Sequence, residues 1–142
     1  MKRILMILIV AVFACCSLFA DFITPYRTEG DYRTLSDNET RRMVGDEYDN
    51  GYCADDYYYN GVFLYNLRNK YKVLSCIIGP NDNTRIGNQV WFRFTVDNEK
   101  VAEYTLKGGD FPIEMEVDLN YGRQLKLEFG GNEAMITEMD FK

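Results

Sequence analysis

Two groups of residues in this 142-residue chain could do chemistry. The stretch DEYDNGYCADD crowds Asp46, Asp49, Asn50, Asp55 and Asp56, hard oxygen donors of the kind that hold calcium. As an EF-hand loop it fails, because Tyr48 takes a ligand position and Tyr57 stands where the bidentate Glu belongs. A structural calcium and an unmetallated acidic loop both stay open. The second group is aromatic and amide-rich: the triplet Tyr57, Tyr58, Tyr59, then the loop GPNDNTRIGN and Trp91. A pyranose ring has an apolar face and a rim of hydroxyls, so it is recognised by exposed rings flanked by hydrogen-bonding groups. Trp91, Tyr57, Tyr59, Asn81, Asp82, Asn83 and Arg85 are therefore the candidate ligand residues. For Trp91 the competing expectation is cover by a neighbouring loop or by the N-terminal segment.

Catalysis finds little support. The chain has no histidine, which removes the commonest general base and zinc ligand. Past the first 20 residues only Ser36 and Ser75 remain as serines, neither in a nucleophile-elbow context, and Cys53 and Cys76 lack an imidazole partner. Carboxylates are numerous enough for a glycosidase pair, but most fall on the wet faces of strands. The Gly-Gly pairs lead into neither a helix nor a Lys-Ser/Thr, so no phosphate loop is present.

The opening MKRILMILIVAVFACCSLFA, with Lys2 and Arg3 before an apolar run and small residues ending at Ala20, is the build of a secretory signal peptide over residues 1–20. The alternative is a lipobox at Val12–Cys15 that would lipidate Cys15. Either way the expectation is an exported protein, secreted, periplasmic or on the cell surface, with no membrane span in the mature chain. Removing Lys2 and Arg3 takes the net charge from −6 to −8. Such an acidic chain, with its basic residues scattered among carboxylates, argues against nucleic acid. The two cysteines that remain, Cys53 and Cys76, are either one disulfide or a loop thiol and a small buried residue.

The elements that must position these residues are strands. From residue 21 to 56 the chain is acidic and irregular, with one local signal, Ser36-Asp37-Asn38-Glu39, in the form of a capping box for a short helix. From residue 57 to 142 the period is two. PIEMEVDLN places Ile113, Met115, Val117 and Leu119 on one face; QVWFRFTV does the same with Val90, Phe92, Phe94 and Val96. RQLKLEF, KVLSCIIG and VAEYTL alternate likewise, and AMITEMDF sets Met135, Met139 and Phe141 in phase. Turn residues divide these runs, and seven or eight short strands predict an all-β antiparallel sandwich of jelly-roll type. Trp91 is out of phase with its apolar neighbours and points outward with Arg93 and Thr95. Asn60-Gly61 predicts a two-residue hairpin pairing Tyr59 with Val62 and Tyr58 with Phe63, which splits the tyrosine triplet between two faces.

The strings YNLRNKYKVLSCIIGPND, VWFRFTVDNEKVAEYTL and FPIEMEVDLNYGRQLKLEF resemble the NPCBM family of carbohydrate-binding modules. That family overlaps carbohydrate-binding module family 51 and is seen beside family 98 glycoside hydrolases. The shared positions are Tyr65, Leu67, Lys70, Tyr71, Leu74 and Gly79, then Phe94 and Val96, Pro112, Val117 and Asp118, and finally Leu125 and Leu127. The resemblance implies a β-sandwich like galactose-binding domains, with galactose-containing glycans bound by loops at one end. It also implies a non-catalytic, lectin-like role beside a partner glycoside hydrolase. A cell-envelope structural or protein-interaction domain without a sugar site is the alternative.

Overall fold

The strict alternation of the second half becomes the core of two sheets. A computed structural model describes residues 23–55 and 60–142. In the first half run β1 (Arg27–Glu29), β2 (Tyr32–Thr34), β3 (Arg41–Met43), β4 (Asp46–Tyr48) and β5 (Tyr52–Ala54). Then come β6 (Gly61–Asn66), β7 (Val73–Pro80), β8 (Gln89–Val96), β9 (Glu99–Lys107), β10 (Ile113–Asp118), β11 (Gln124–Gly131) and β12 (Ala134–Phe141). One sheet has the order β1-β6-β11-β8-β9, the other β10-β7-β12-β5-β2, and β3-β4 is a separate hairpin. The pairing within each sheet is antiparallel, and the described residues contain no helix. The all-β sandwich expected from periodicity is the observed fold.

Between the sheets lie the side chains that alternation assigned inward: Val90, Phe92 and Phe94 from β8, Leu125, Leu127 and Phe129 from β11, and Leu74, Cys76 and Ile78 from β7, all buried. Each large apolar side chain so buried contributes roughly 1.5–3 kcal/mol. Tyr32, Tyr52 and Phe129 stand edge-on around Phe63 at 4.4–5.3 Å, binding both sheets near the β1/β2 edge. The chain passes from one sheet to the other in two residues there, Gly30 and Asp31, and at the opposite edge between β9 and β10.

Several expectations are corrected. Residues 21–56 are not an irregular appendage to a domain that begins at 57: β1 joins one sheet, and β2 and β5 join the other. The Ser36–Glu39 segment is a tight turn, with Ser36 and Glu39 exchanging backbone hydrogen bonds of 3.2 and 2.9 Å. The Glu39 carboxylate turns away to Arg33 and Arg41, so no capping box forms. The hairpin expected at Asn60-Gly61 rests on Tyr58 and Tyr59, which lie outside the described residues, but both edges of β6 are taken by other strands. Val62, Phe63 and Leu64 pair with Glu29, Thr28 and Arg27 on one side and with Glu128, Leu127 and Lys126 on the other.

Met135 leaves the phase of Met139 and Phe141. A bulge between Thr137 and Asp140, with Glu138 at φ 50°, shifts the register. Met135 consequently lies on the outer face of its sheet, with Leu35, Met43 and Cys53, under the β3–β4 hairpin. Cys53 and Cys76 are both free and buried. They cannot meet: Cys76 faces the inter-sheet core while Cys53 faces the outer cluster, on strands separated by β12. That placement exceeds the Cα separation of about 7 Å a disulfide tolerates.

Candidate functional site

One end of the sandwich gathers the β7–β8 loop (81–88), the β9–β10 loop (108–112), the β11–β12 turn (132–133) and Asn60, just before β6. Trp91 stands near this end on the outer face of its sheet, half-buried, as its phase required. Directly across from it on β11 is Gly130 and on β9 is Thr105. A side chain at position 130 would run into the Asn60 carboxamide oxygen and would come within 2.9 Å of Trp91 Cζ2. Asn60 and the indole thus share the space that glycine leaves open. A ring, an amide, the hydroxyl of Thr105 and the amide of Gln89, in phase with Trp91, form the groups a sugar needs.

A cation also lies against the ring. Arg93 lies over Trp91 with its guanidinium 5.5 Å from the ring centre. It also bonds Glu103 at 3.0 Å and reaches Glu128 at 3.8 Å. Lys100 and Arg93 together hold the Glu103 carboxyl below the usual carboxylate range.

The other sequence candidates divide. Asn81 is buried at 2% exposure and serves the loop itself. Its amide nitrogen donates to Cys53 Sγ at 3.8 Å and its oxygen accepts the Asn83 N–H at 2.8 Å. Asp82 is spent on the β3–β4 turn, accepting the N–H groups of Val44 at 2.6 Å and Gly45 at 2.9 Å. Asn81 thus ties its loop to β5 and Asp82 ties it to the β3–β4 turn, with Asp82 still exposed. Asn83 and Arg85 are exposed on the same loop. Tyr57 and Tyr59 lie outside the described residues.

The acidic candidates do not converge. Asp46 sits on the β3–β4 hairpin and Asp55 is bound by Arg33 at 2.5 Å. Asn50 donates to Asp49 at 3.2 Å and to Glu138 at 2.7 Å, while its Oδ1 accepts the Glu138 N–H at 2.9 Å. Among the described residues no three His, Cys, Asp or Glu side chains are placed to hold a metal, and Asp56 lies outside them.

Sequence reasoning missed Asn60 as a site residue. Its signal was Gly130, whose missing side chain leaves room for the Asn60 amide beside the indole. A separate cavity of about 360 Å³, lined by Ile23, Asn50, Tyr52, Tyr65, Met139 and Phe141, lies where the N-terminal segment meets β12. Asn50 there is already engaged by Thr137 and Glu138, which leaves mainly apolar walls.

No protein-family model matches the chain, and no curated protein matches it. Solved structures do. The second family 51 carbohydrate-binding module of Clostridium perfringens ZmpB, solved with INT domains, superposes with a TM-score of 0.63 at 18% identity. That match covers 87% of this chain but 30% of the neighbour's, so the chain spans under a third of that molecule. The family 51 module of a Clostridium perfringens GH95 protein, solved in complex with methyl-galactose, gives 0.62 at 16% identity, covering 88% of this chain and 95% of its own. A further ZmpB structure joins an M60 catalytic domain to two such modules, with a TM-score of 0.54 at 14% identity. The fold is that of family 51 carbohydrate-binding modules.

Proposed function

We propose that this protein is an exported, non-catalytic carbohydrate-binding module that takes galactose-containing glycans at Trp91. The observation that carries the reading is the meeting of the Trp91 ring and the Asn60 amide over Gly130. It places a stacking surface and a hydrogen-bonding group side by side at the loop end of a sandwich. The likeness of the fold to a module solved with methyl-galactose supports the choice of sugar. Modules of this fold joined to a catalytic domain support a partner enzyme, a glycoside hydrolase in the NPCBM resemblance. The apolar leader over residues 1–20 supports export.

A second reading, an envelope protein-interaction domain, draws on Ile86 and Phe111, which stand 90% and 76% exposed on loops at the same end. Calorimetric titration of the leader-processed protein with galacto-oligosaccharides separates the two. Saturable heat that Trp91→Ala removes supports the module. A folded protein silent across galactose-containing glycans supports the interaction domain.

A further inference from the structure

The charges of this chain are sorted by sheet. Strand register places residues that pair directly on the same face, and Trp91 identifies the outer face of its sheet. On that face the paired positions carry five cations, Arg27, Arg93, Lys100, Lys107 and Lys126. Three carboxylates stand among them, Glu29, Glu103 and Glu128. The outer face of the opposite sheet is the reverse: Glu114, Glu116, Asp118 and Asp140 stand against Arg33 and Lys142. A chain of net charge −6 therefore presents its tryptophan on a face that is net positive.

The three carboxylates of the Trp91 face are all neutralised. Glu29 pairs with Arg27 at 2.5 Å, Glu103 with Arg93 and Lys100, and Glu128 with Lys126 at 3.1 Å. Among the described residues Lys107 is the cation of this face whose ammonium makes no ion pair. The nearby Asp110 carboxylate is turned to the Lys107 backbone N–H at 2.8 Å. Lys107 lies opposite Gln89, the next pair on the same face after Trp91–Thr105. This is the diagonal relation, about 7–8 Å between Cα atoms, that long side chains bridge.

Resting on the carbohydrate-binding reading, we infer that the preferred ligand is an acidic glycan whose uronic acid carboxylate meets Lys107 while a sugar ring stacks on Trp91. The sparseness of the charge selects this chemistry. A surplus of two cations interleaved with carboxylates suits an occasional sugar carboxylate, whereas a densely sulfated chain or a nucleic acid needs clustered Lys and Arg. The Asn60 amide beside the indole edge is the group offered to hydroxyls.

The test compares tri-galacturonate with a neutral galacto-triose on the leader-processed protein, by calorimetry at about 50 and 500 mM NaCl, bracketing Debye lengths from above 10 Å to below it. The acidic sugar is expected to bind several-fold tighter at low salt, with the preference collapsing at high salt. Lys107→Gln is expected to lower the acidic-to-neutral affinity ratio about two- to fivefold, the range of an exposed ion pair. Lys72→Gln, at the other end of the sandwich, is expected to leave that ratio unchanged. Equal affinity for the two sugars, a ratio insensitive to Lys107→Gln, or tighter binding of heparin or single-stranded DNA would each overturn the inference. Binding of the neutral sugar alone would overturn it and leave the module reading standing. Failure of both sugars to bind would remove both.

Discussion

The guanidinium of Arg93 lies 5.5 Å from the centre of the Trp91 ring, so the only tryptophan of the chain carries a fixed cation against one face. Two carboxylates, Glu103 and Glu128, hold that cation in place. A planar ligand that stacks must use what this pairing leaves.

Trp91→Ala is expected to weaken galacto-oligosaccharide binding at least about tenfold, the equivalent of 1.4 kcal/mol. Because Trp91 is the sole indole, its fluorescence reports the same event in the unmodified protein. A sugar that binds without moving the emission spectrum would place the site elsewhere.

Gly130→Ala probes the shared space directly. The added methyl must displace the Asn60 amide and the indole edge, now 2.9 Å from where it would sit. A destabilisation of about 1–3 kcal/mol in urea is expected, as for other overpacked sites. Sugar affinity should fall with it. Stability and affinity both matching the parent protein would show that Asn60 and Trp91 adjust freely.

Asp82→Ala removes two hydrogen bonds from the β3–β4 turn, at an expected cost of about 1–3 kcal/mol. That hairpin covers Cys53, whose thiol burial pushes up to about 12, as it does for Cys76. Thiolate, not thiol, reacts with disulfide reagents, so both cysteines should be inert at pH 8 in the parent protein. Sign and window follow: with folded values near 12 against 9.0, the thiols favour folding below about pH 9, and that contribution is lost as pH rises toward 12. In Asp82→Ala, Cys53 should react with a thiol reagent well before Cys76. Equal rates for the two would mean that the hairpin is not what shields Cys53.

Glu133, in the β11–β12 turn, has a buried Oε2 with no hydrogen-bond partner, and burial raises its carboxyl above the ordinary value. A raised carboxyl favours folding while protonated, and that benefit is lost as pH climbs through its folded value. Glu133→Gln should therefore be more stable than the parent at pH 7, by about 1 kcal/mol or less. The gap should close as pH falls toward 4. Thermal melts across that range decide it, and a gap independent of pH would rule out the charge as its source.

The alternation of Val90, Phe92, Phe94 and Val96 made β8 and the outward turn of Trp91 readable, because a half-buried strand must repeat every two residues. The strands Arg27–Glu29, Tyr32–Thr34 and Tyr52–Ala54 were invisible for a matching reason. Three residues are too few to show a period, and their partners are distant in sequence. The phase of β12 was misjudged because Glu138 adopts φ 50°, a conformation its residue type does not announce. In the site, Trp91 was legible from phase alone. That Asn81 and Asp82 also tie their loop to Cys53 and to the β3–β4 turn was not legible, because composition does not show which polar groups a loop uses to hold itself in place.

Of the chain's crossings between the sheets, two join edge strands, at Gly30–Asp31 and between β9 and β10, and these fall at opposite edges of the sandwich. Followed in space, the ten strands form an unbroken circuit in which hydrogen bonds supply eight of the joins and covalent backbone the other two. Such a circuit resists shear: neither sheet can slide along the other without stretching a peptide tether at one rim. The tryptophan-bearing face therefore rides on a stiff shell, and a glycan that docks there meets a surface whose shape is set before it arrives.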